Sequence, residues 1–456
     1  MADVTTPRSE VTTMRTRAAV CQVVDGGTVS MRAAGKTYLP KWPLEDEKDW
    51  EARCALSVLT PHYSEALDTM VGKPFGEPIQ LGKDVPTRVR EALENADLLG
   101  SDIDTFAREW FRLALRDGAC WAVVDYPAVA PGLTAAQERE AGARPYLILV
   151  PLASVVSWST EMASGRPVLK EFRYTETVEA VDGWGIVTKT RVRRFVKVDG
   201  RVQSEVYVDG NMFGPPMPLA KMDEIPVAFW APQRTGYMSA VPPLENLAWL
   251  NVQHWQSASD QRNILHVVRV PLLAADEDNR SDPDTKVKVS ADGIIVGLPN
   301  LRYVEHTGAA IDAGRQDLVD LEEKMRLVAG RVLTRQAGGD KSASEATLEA
   351  RDGGSKLKQW ARSFQDTLEE ALRLMAKWCG EAKGGTVTVF TGWSDLIDPQ
   401  MFQFALAARQ AREISRETFL GVAAKAGLVE SVEDEAHRLE TEGPEDFGAG
   451  TGLEKL

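Results

Sequence analysis

The stretch PPLENLAWLNVQHWQSASDQRNI, residues 242–264, decides how the rest of the chain is read. Its proline pair, Pro242-Pro243, suits a helix start, because the first helical turn leaves amides unpaired and proline has none to lose. Leu244, Leu247, Leu250, Trp255 and Ala258 then fall on one helical face, while the other face is rich in amides. A helix to about Ile264 is expected.

Downstream, the pattern changes twice. Apolar runs at Val267 to Leu273, Lys286 to Val289 and Gly293 to Val296 read as short strands, interrupted by the acidic run Asp276 to Asp282. From Ala310 to about Leu333, Ile311, Leu318, Leu321, Met325, Val328 and Val332 return the helical spacing. Acids fill its first half and bases its second, as the helix dipole favours. A glycine-containing stretch, Thr334 to Lys341, leads into a helix expected from Ser344 to Cys379, striped by Leu357, Trp360, Phe364, Leu368, Leu372, Met375 and Cys379. That helix would reach about 50 Å, with a kink at Gly353-Gly354. Thr386 to Phe390 reads as a strand. Short helices follow near 399–411, 416–426 and 432–441, before an acidic, glycine-rich end.

Upstream, a polar leader precedes Tyr38-Leu-Pro-Lys-Trp-Pro43. Helices are expected over 46–72, 86–99 and 102–117, the last stopped by Gly118. Strands follow at Cys120 to Val124, Tyr146 to Val150, Val168 to Tyr174, Trp184 to Phe195 and Val202 to Val208. Asp182-Gly183, Asp199-Gly200 and Asp209-Gly210-Asn211 punctuate them as hairpins, so an antiparallel region ends near Pro232. The fold class is α+β, in several packed parts, because 456 residues exceed one ordinary core.

Composition narrows the function. Apolar residues at 43% and charged residues at 26% are globular proportions. The polar N-terminus argues against a secretory signal, and Pro145 to Thr160 is too short to span a membrane. Cytoplasmic synthesis without a membrane partner is expected. Cys21, Cys54, Cys120 and Cys379 lie far apart with no CxxC pair, so free buried thiols are expected. A net charge of −14 disfavours tight DNA binding and is compatible with weak, sliding contact.

Catalytic motifs are missing from the sequence. There is no GxxxxGK[ST]: Gly35-Lys36 has Ser30 where a glycine is needed, and Gly72-Lys73 is followed by proline. Gly448 to Gly452 lacks a flanking strand and helix for a dinucleotide turn. The acidic loop Asp276, Glu277, Asp278, Asp282, Asp284 lacks the central glycine and terminal glutamate of an EF-hand, and no metal is expected there. His62, His254, His266, His306 and His437 are scattered and read as packing or surface residues, while the twelve tryptophans read as core or interface. Neither catalytic residues nor cofactors are expected.

The order of elements, together with particular residues, carries a resemblance. Those residues are Tyr38 to Pro43, Asp117-Gly-Ala-Cys-Trp-Ala-Val-Val-Asp125, Arg144-Pro-Tyr-Leu-Ile-Leu-Val-Pro151, Ile225-Pro-Val-Ala-Phe229, Pro242 to Asn251 and Ser342 to Thr347. The chain resembles the portal proteins of tailed bacteriophages over most of residues 38–430. The resemblance implies a leader (1–37), a wing of helices and antiparallel sheet (38–242), a stem helix (243–264), a β-containing clip (265–308) and a second stem helix (309–333). A tunnel loop (334–343), a spine helix with a strand returning to the wing (344–396), and a crown with an acidic tail (397–456) complete it. It further implies a ring of about twelve copies at one capsid vertex of the virion, assembled in the host cytoplasm. The expected partners are the large terminase, head-to-tail adaptors, major capsid and scaffolding proteins, and double-stranded DNA without sequence preference. The same features leave open a neck or tail adaptor ring, or a nucleic-acid-processing enzyme with an unrecognised site.

On this reading the clip acids Asp276, Glu277, Asp278, Asp282 and Asp284 dock partners, and Arg335, Gln336, Gly338, Gly339, Asp340 and Lys341 face the channel. Replacing Arg335 and Lys341 with alanine is expected to preserve ring assembly and to change DNA retention in a salt-dependent way, because contact with phosphates there is electrostatic. Packaging assays across a salt series check this.

Overall fold

Apolar residues at spacings of three and four organise the chain from its first helical turn. The computed structural model describes residues 3–127, 137, 140, 142–268, 272–274, 302–304, 309–333, 356–394, 399–425, 428–429 and 432–442. The protein is α+β, as its sequence indicates.

Residues expected as a leader instead begin the core. Helix α1 (Ser9–Asp25) buries Val11, Met14, Ala18, Cys21 and Val24, which lie among threonines and arginines. Arg15 donates to the carbonyls of Leu152, Ala153 and Val155, and the Arg8 amide donates to Val156, so the helix is pinned to strand backbone. After α2 (Gly27–Ala34) come α3 (Glu47–Leu56), α4 (His62–Gly72), strand β1 (Gln80–Leu81) and α5 (Thr87–Leu93). Helix α5 stops short of the expected residue 99. Asn95 accepts the Gly100 amide and Asp97 accepts those of Leu99 and Ser101, a local alternative to helical bonding. Helix α6 (Ile103–Asp117) is capped by Asp102, which accepts from the Thr105 amide at 2.8 Å, and ends at Gly118 with φ 91°.

The strands build two antiparallel layers. They are β2 (Cys120–Asp125), β3 (Tyr146–Pro151), β4 (Val155–Ala163), β5 (Arg166–Asp182), β6 (Gly185–Val198), β7 (Arg201–Val208), β8 (Asn211–Met212), β9 (Met217–Pro218) and β10 (Val227–Trp230). A three-stranded sheet has the order β10-β2-β3, and a larger sheet runs β4-β5-β6-β7-β8, with β9 also on β7. Every residue of β2 is buried, which explains its unbroken apolar run. Trp121 faces Trp158 and Phe172 of the larger sheet, and Asp125 on the same face pairs with Arg193. The opposite face meets helices: the Trp110 indole donates to the Cys120 carbonyl.

Strands β5 and β6 run further than expected. Their pairing extends to Asp182↔Gly185, whereas β4 joins β5 only as far as Tyr174 and β7 joins β6 only from Val192. The far end is thus a two-stranded ribbon, tipped by Val181, Trp184 and Ile186, which are 83%, 108% and 68% exposed.

After the short β11 (Arg234–Gly236) and β12 (Ser239–Ala240), helix α7 (Glu245–Val268) begins. Two further strands, β13 (Leu272–Ala274) and β14 (Arg302–Val304), precede α8 (Ala309–Leu333). Helix α9 (Lys356–Cys379) is the central helix of this unit, burying Leu357, Phe364, Leu368, Leu372 and Met375. Phe364 meets Trp110, Phe111 and Trp230 at ring-centroid distances of 5.4, 5.2 and 4.9 Å. Strand β15 (Val387–Thr388) closes back onto β1. All four cysteines are free; Cys21, Cys54 and Cys120 are buried and Cys379 half-buried.

These elements form one unit, Met1–Gly72 with Gln80–Thr388; a second comprises Lys73–Ile79 with Val389–Leu456. The second holds α10 (Pro399–Gln410), α11 (Arg416–Lys425) and α12 (Val432–Glu442), with Phe402 against Phe419 at 5.8 Å. Among the described residues no helix is long and apolar enough to cross a membrane.

Gly118 offers a test of the first unit's packing. A Cβ there would lie 2.7 Å from the Pro242 nitrogen and 2.8 Å from the Val241 carbonyl carbon, in a left-handed conformation. Gly118→Ala is expected to cost about 2 kcal/mol or more. Gly100→Ala, where φ is +105° but no atom lies within 4 Å, isolates the backbone strain and is expected to cost about 1 kcal/mol. Urea unfolding midpoints compare the two.

Candidate functional site

Helices α7 and α8, at 24 and 25 residues, form the candidate for function. Each spans roughly 36 to 38 Å at the α-helical rise. Helix α7 continues past the expected end at Ile264 to Val268, since no helix breaker intervenes before Pro271.

The two helices run antiparallel. The Gln261 amide donates to the Ile311 carbonyl at 2.9 Å, Ser257 donates to Asp317 at 2.6 Å, and His254 Nε2 lies 3.6 Å from Glu322 Oε1. The contact is closest at Gly314, where a Cβ would lie 2.0 Å from Gln261 Oε1. A glycine permits that approach and a larger residue would displace the glutamine.

Much of the amide-rich face of α7 faces protein rather than solvent. Asn251, fully buried, accepts the Tyr63 amide at 3.0 Å and donates to the Thr60 carbonyl at 3.1 Å, so it seats the first turn of α4. Gln256 donates to the Tyr38 carbonyl. Ser259 shares a hydrogen bond with Ser57 at 2.8 Å. Beside them Arg53, 6% exposed, makes a two-pronged ion pair with Glu45 at 2.6 and 2.8 Å and donates to the Pro40 carbonyl. Asp260 stands 3.6 Å from Arg53, and burial pushes its carboxyl up against that cation's pull.

Helix α8 is different. Between residues 311 and 330 only Leu321 and Met325 are buried, while Val319 and Leu327 are 49% and 56% exposed. Asp312, Asp317, Asp320, Glu322 and Glu323, with Arg315 the single base among them, make the stretch 312–323 acidic.

At the middle of the pair, His62 of α4, His254 of α7 and Glu322 of α8 come together, each with a ligand-type atom within 4.8 Å of the others. Burial and the neighbouring His62 lower the His254 pKa, with Glu322 and Asp317 opposing. These histidines read singly in the sequence as packing residues. Their meeting depends on three helices distant in the chain, which spacing motifs do not report.

The expected docking acids Asp276, Glu277, Asp278, Asp282 and Asp284 lie outside the described residues, as do Arg335, Gln336, Gly338, Gly339, Asp340 and Lys341. The strands expected at 286–289 and 293–296, and the first part of the helix expected from Ser344, also lie outside them. The described parts of the excursion between α7 and α8 are β13 and β14, paired antiparallel from Leu272↔Val304 to Ala274↔Arg302. The excursion therefore leaves and returns as a ribbon.

A family described as a domain of unknown function (DUF4055) matches residues 243–379, the span holding α7, α8 and α9. No curated protein sequence matches the chain. Among solved structures, the chain is similar to one from the "Neck of empty GTA particle computed with C6 symmetry", with 12% identity and a TM-score of 0.40, over 81% of this chain and 90% of that one. It is also similar to one from the "Virion of native gene transfer agent (GTA) particle", with 11% identity and a TM-score of 0.39, over 89% and 99%.

Asn251→Leu keeps the side chain's bulk and leaves the Tyr63 amide without its partner, while the Thr60 carbonyl keeps the His62 amide at 2.9 Å. The expected cost is about 1 to 3 kcal/mol, that of one buried unsatisfied donor. Urea unfolding measures it, and protection of the Tyr63 amide in hydrogen exchange is expected to fall first.

Proposed function

We propose that this chain is a portal subunit of the tailed-phage type: a structural protein of the virion whose copies form a ring around a DNA channel at one capsid vertex. The observation that carries the reading is α8, a 25-residue helix with two buried side chains among its described residues. Helices of globular proteins draw their stability from tertiary packing, and α8 is packed along one side while Val319 and Leu327 stay uncovered within one chain. Neighbouring copies would cover them. Trp249 and Ile264 of α7, 51% and 37% exposed, extend the uncovered apolar surface, and so does the tip at Val181, Trp184 and Ile186.

The acidic first half of α8 suits a channel wall. Carboxylates there keep a duplex from adhering, so DNA slides past without a fixed register. The ribbon-rooted excursion between α7 and α8 supplies the clip for terminase and, later, for adaptors. Residue patterns such as Ile225 to Phe229 and Pro242 to Asn251 support the same family. Capsid and scaffolding proteins complete the proposed partners, and the proposed role needs no catalysis.

Negative-stain images of the purified full chain are expected to show rings of about twelve copies with a central hole. The double substitution Val319→Asp, Leu327→Asp is expected to shift the rings to monomers, while circular dichroism stays that of a folded chain. Wild-type monomers that hydrolyse ATP or DNA would replace this reading with an enzyme. Rings with no projecting stem would replace it with a neck or tail adaptor.

A further inference from the structure

Three donors from three helices meet beside the α7–α8 pair. His62 opens α4, while His254 and Glu322 lie near the middles of α7 and α8. Their ligand-type atoms are all within 4.8 Å of one another. The two imidazoles meet edge to face, with centroids 5.3 Å apart and planes at 89°. His254 is 4% exposed; His62 and Glu322 are half-buried.

Protein contacts alone leave this cluster unsatisfied. His62 Nε2 and His254 Nδ1 are buried without a hydrogen-bond partner. His254 Nε2 and Glu322 Oε1, at 3.6 Å, are too far apart for a hydrogen bond. Buried polar nitrogens are normally paired, and leaving several unpaired in one place is costly.

A divalent cation held by His62 Nε2, His254 Nε2 and Glu322 would satisfy His62 Nε2 and bridge the His254–Glu322 gap, with His254 Nδ1, the other ring nitrogen, not a ligand. Two imidazoles and one carboxylate are a zinc donor set, with a fourth position open to water. Donor atoms around a tetrahedral zinc stand about 3.4 Å apart, so the His254–Glu322 separation already fits and closing the third corner takes side-chain movement of about 1 Å. The other carboxylate oxygen, Glu322 Oε2, lies 3.5 Å from Arg326, which would orient the ligand from outside. The half-exposed side of Glu322 gives water its approach.

We propose that His62, His254 and Glu322 bind one zinc ion, which ties α4 to the α7–α8 pair. The inference concerns the single chain and stands apart from the ring reading.

The test is calorimetric titration of zinc into the full chain, after chelator treatment and dialysis. One ion per chain is expected to bind saturably, and the melting midpoint is expected to rise with the logarithm of free zinc. Glu322→Gln and His62→Ala alter the two half-buried ligands and are each expected to weaken binding at least tenfold while the circular dichroism remains that of the wild type. Absence of saturable zinc binding by the wild type would overturn the proposal. So would binding unchanged in both variants, which would assign the ion to other groups such as the free thiols.

Discussion

The packing of Phe364 against Trp110, Phe111 and Trp230 is the contact on which the rest of the first unit depends. It joins α6, β10 and α9, elements separated by hundreds of residues of chain. Phe111 and Trp230 are themselves stacked at 4.5 Å, and the Trp230 indole donates to Ser363 on α9. Aromatic pairs of this kind add about 0.5 to 1.5 kcal/mol each beyond the area they bury. Their topological effect is larger. The chain leaves the cluster through β10 toward α7, and after α8 it returns as α9, so one aromatic cluster holds both roots of the long helix pair.

Much of this framework was legible in the sequence because it obeys simple periods. Helix α6 and the described part of α9 carry apolar stripes at threes and fours, and the Asp-Gly turns at 199–200 and 209–210 sit at positive φ, as hairpin geometry requires. Helix α1 was missed because Thr12, Thr13, Arg15, Thr16 and Arg17 mask a stripe that is regular once Val11, Met14, Ala18 and Cys21 are aligned. The extent of the β5–β6 ribbon was missed for another reason. Its outer half alternates Thr, Glu, Lys and Arg with valine, and local alternation does not say where neighbouring strands stop.

The candidate site was less legible than the framework. The positions of α7 and α8 followed from their apolar spacing, but the direction of the polar face did not. Asn251, Ser259 and Gln261 look like solvent-facing residues in one dimension and are hydrogen-bonded to Tyr63, Thr60, Ser57 and Ile311 in three. Nor does any pattern along the chain bring His62 to His254 and Glu322. Such juxtapositions come from long-range packing, which the Phe364 cluster and the N-terminal helices dictate.

The two long helices are therefore held by different physics. Helix α7 is fixed by hydrogen bonds that are specific in register: sliding it by one turn would leave Asn251, Ser259 and Gln261 buried and unpaired, at about 1 to 3 kcal/mol for each. Buried polar contacts of this kind define one arrangement more than they add net stability. Helix α8 buries Leu321 and Met325, meets α7 through a few polar contacts, and presents Val319 and Leu327 outward. In the ring proposed above, such a pair suits lateral assembly: the first helix is fixed by its own chain, and the second gains most when a neighbouring copy covers its apolar positions.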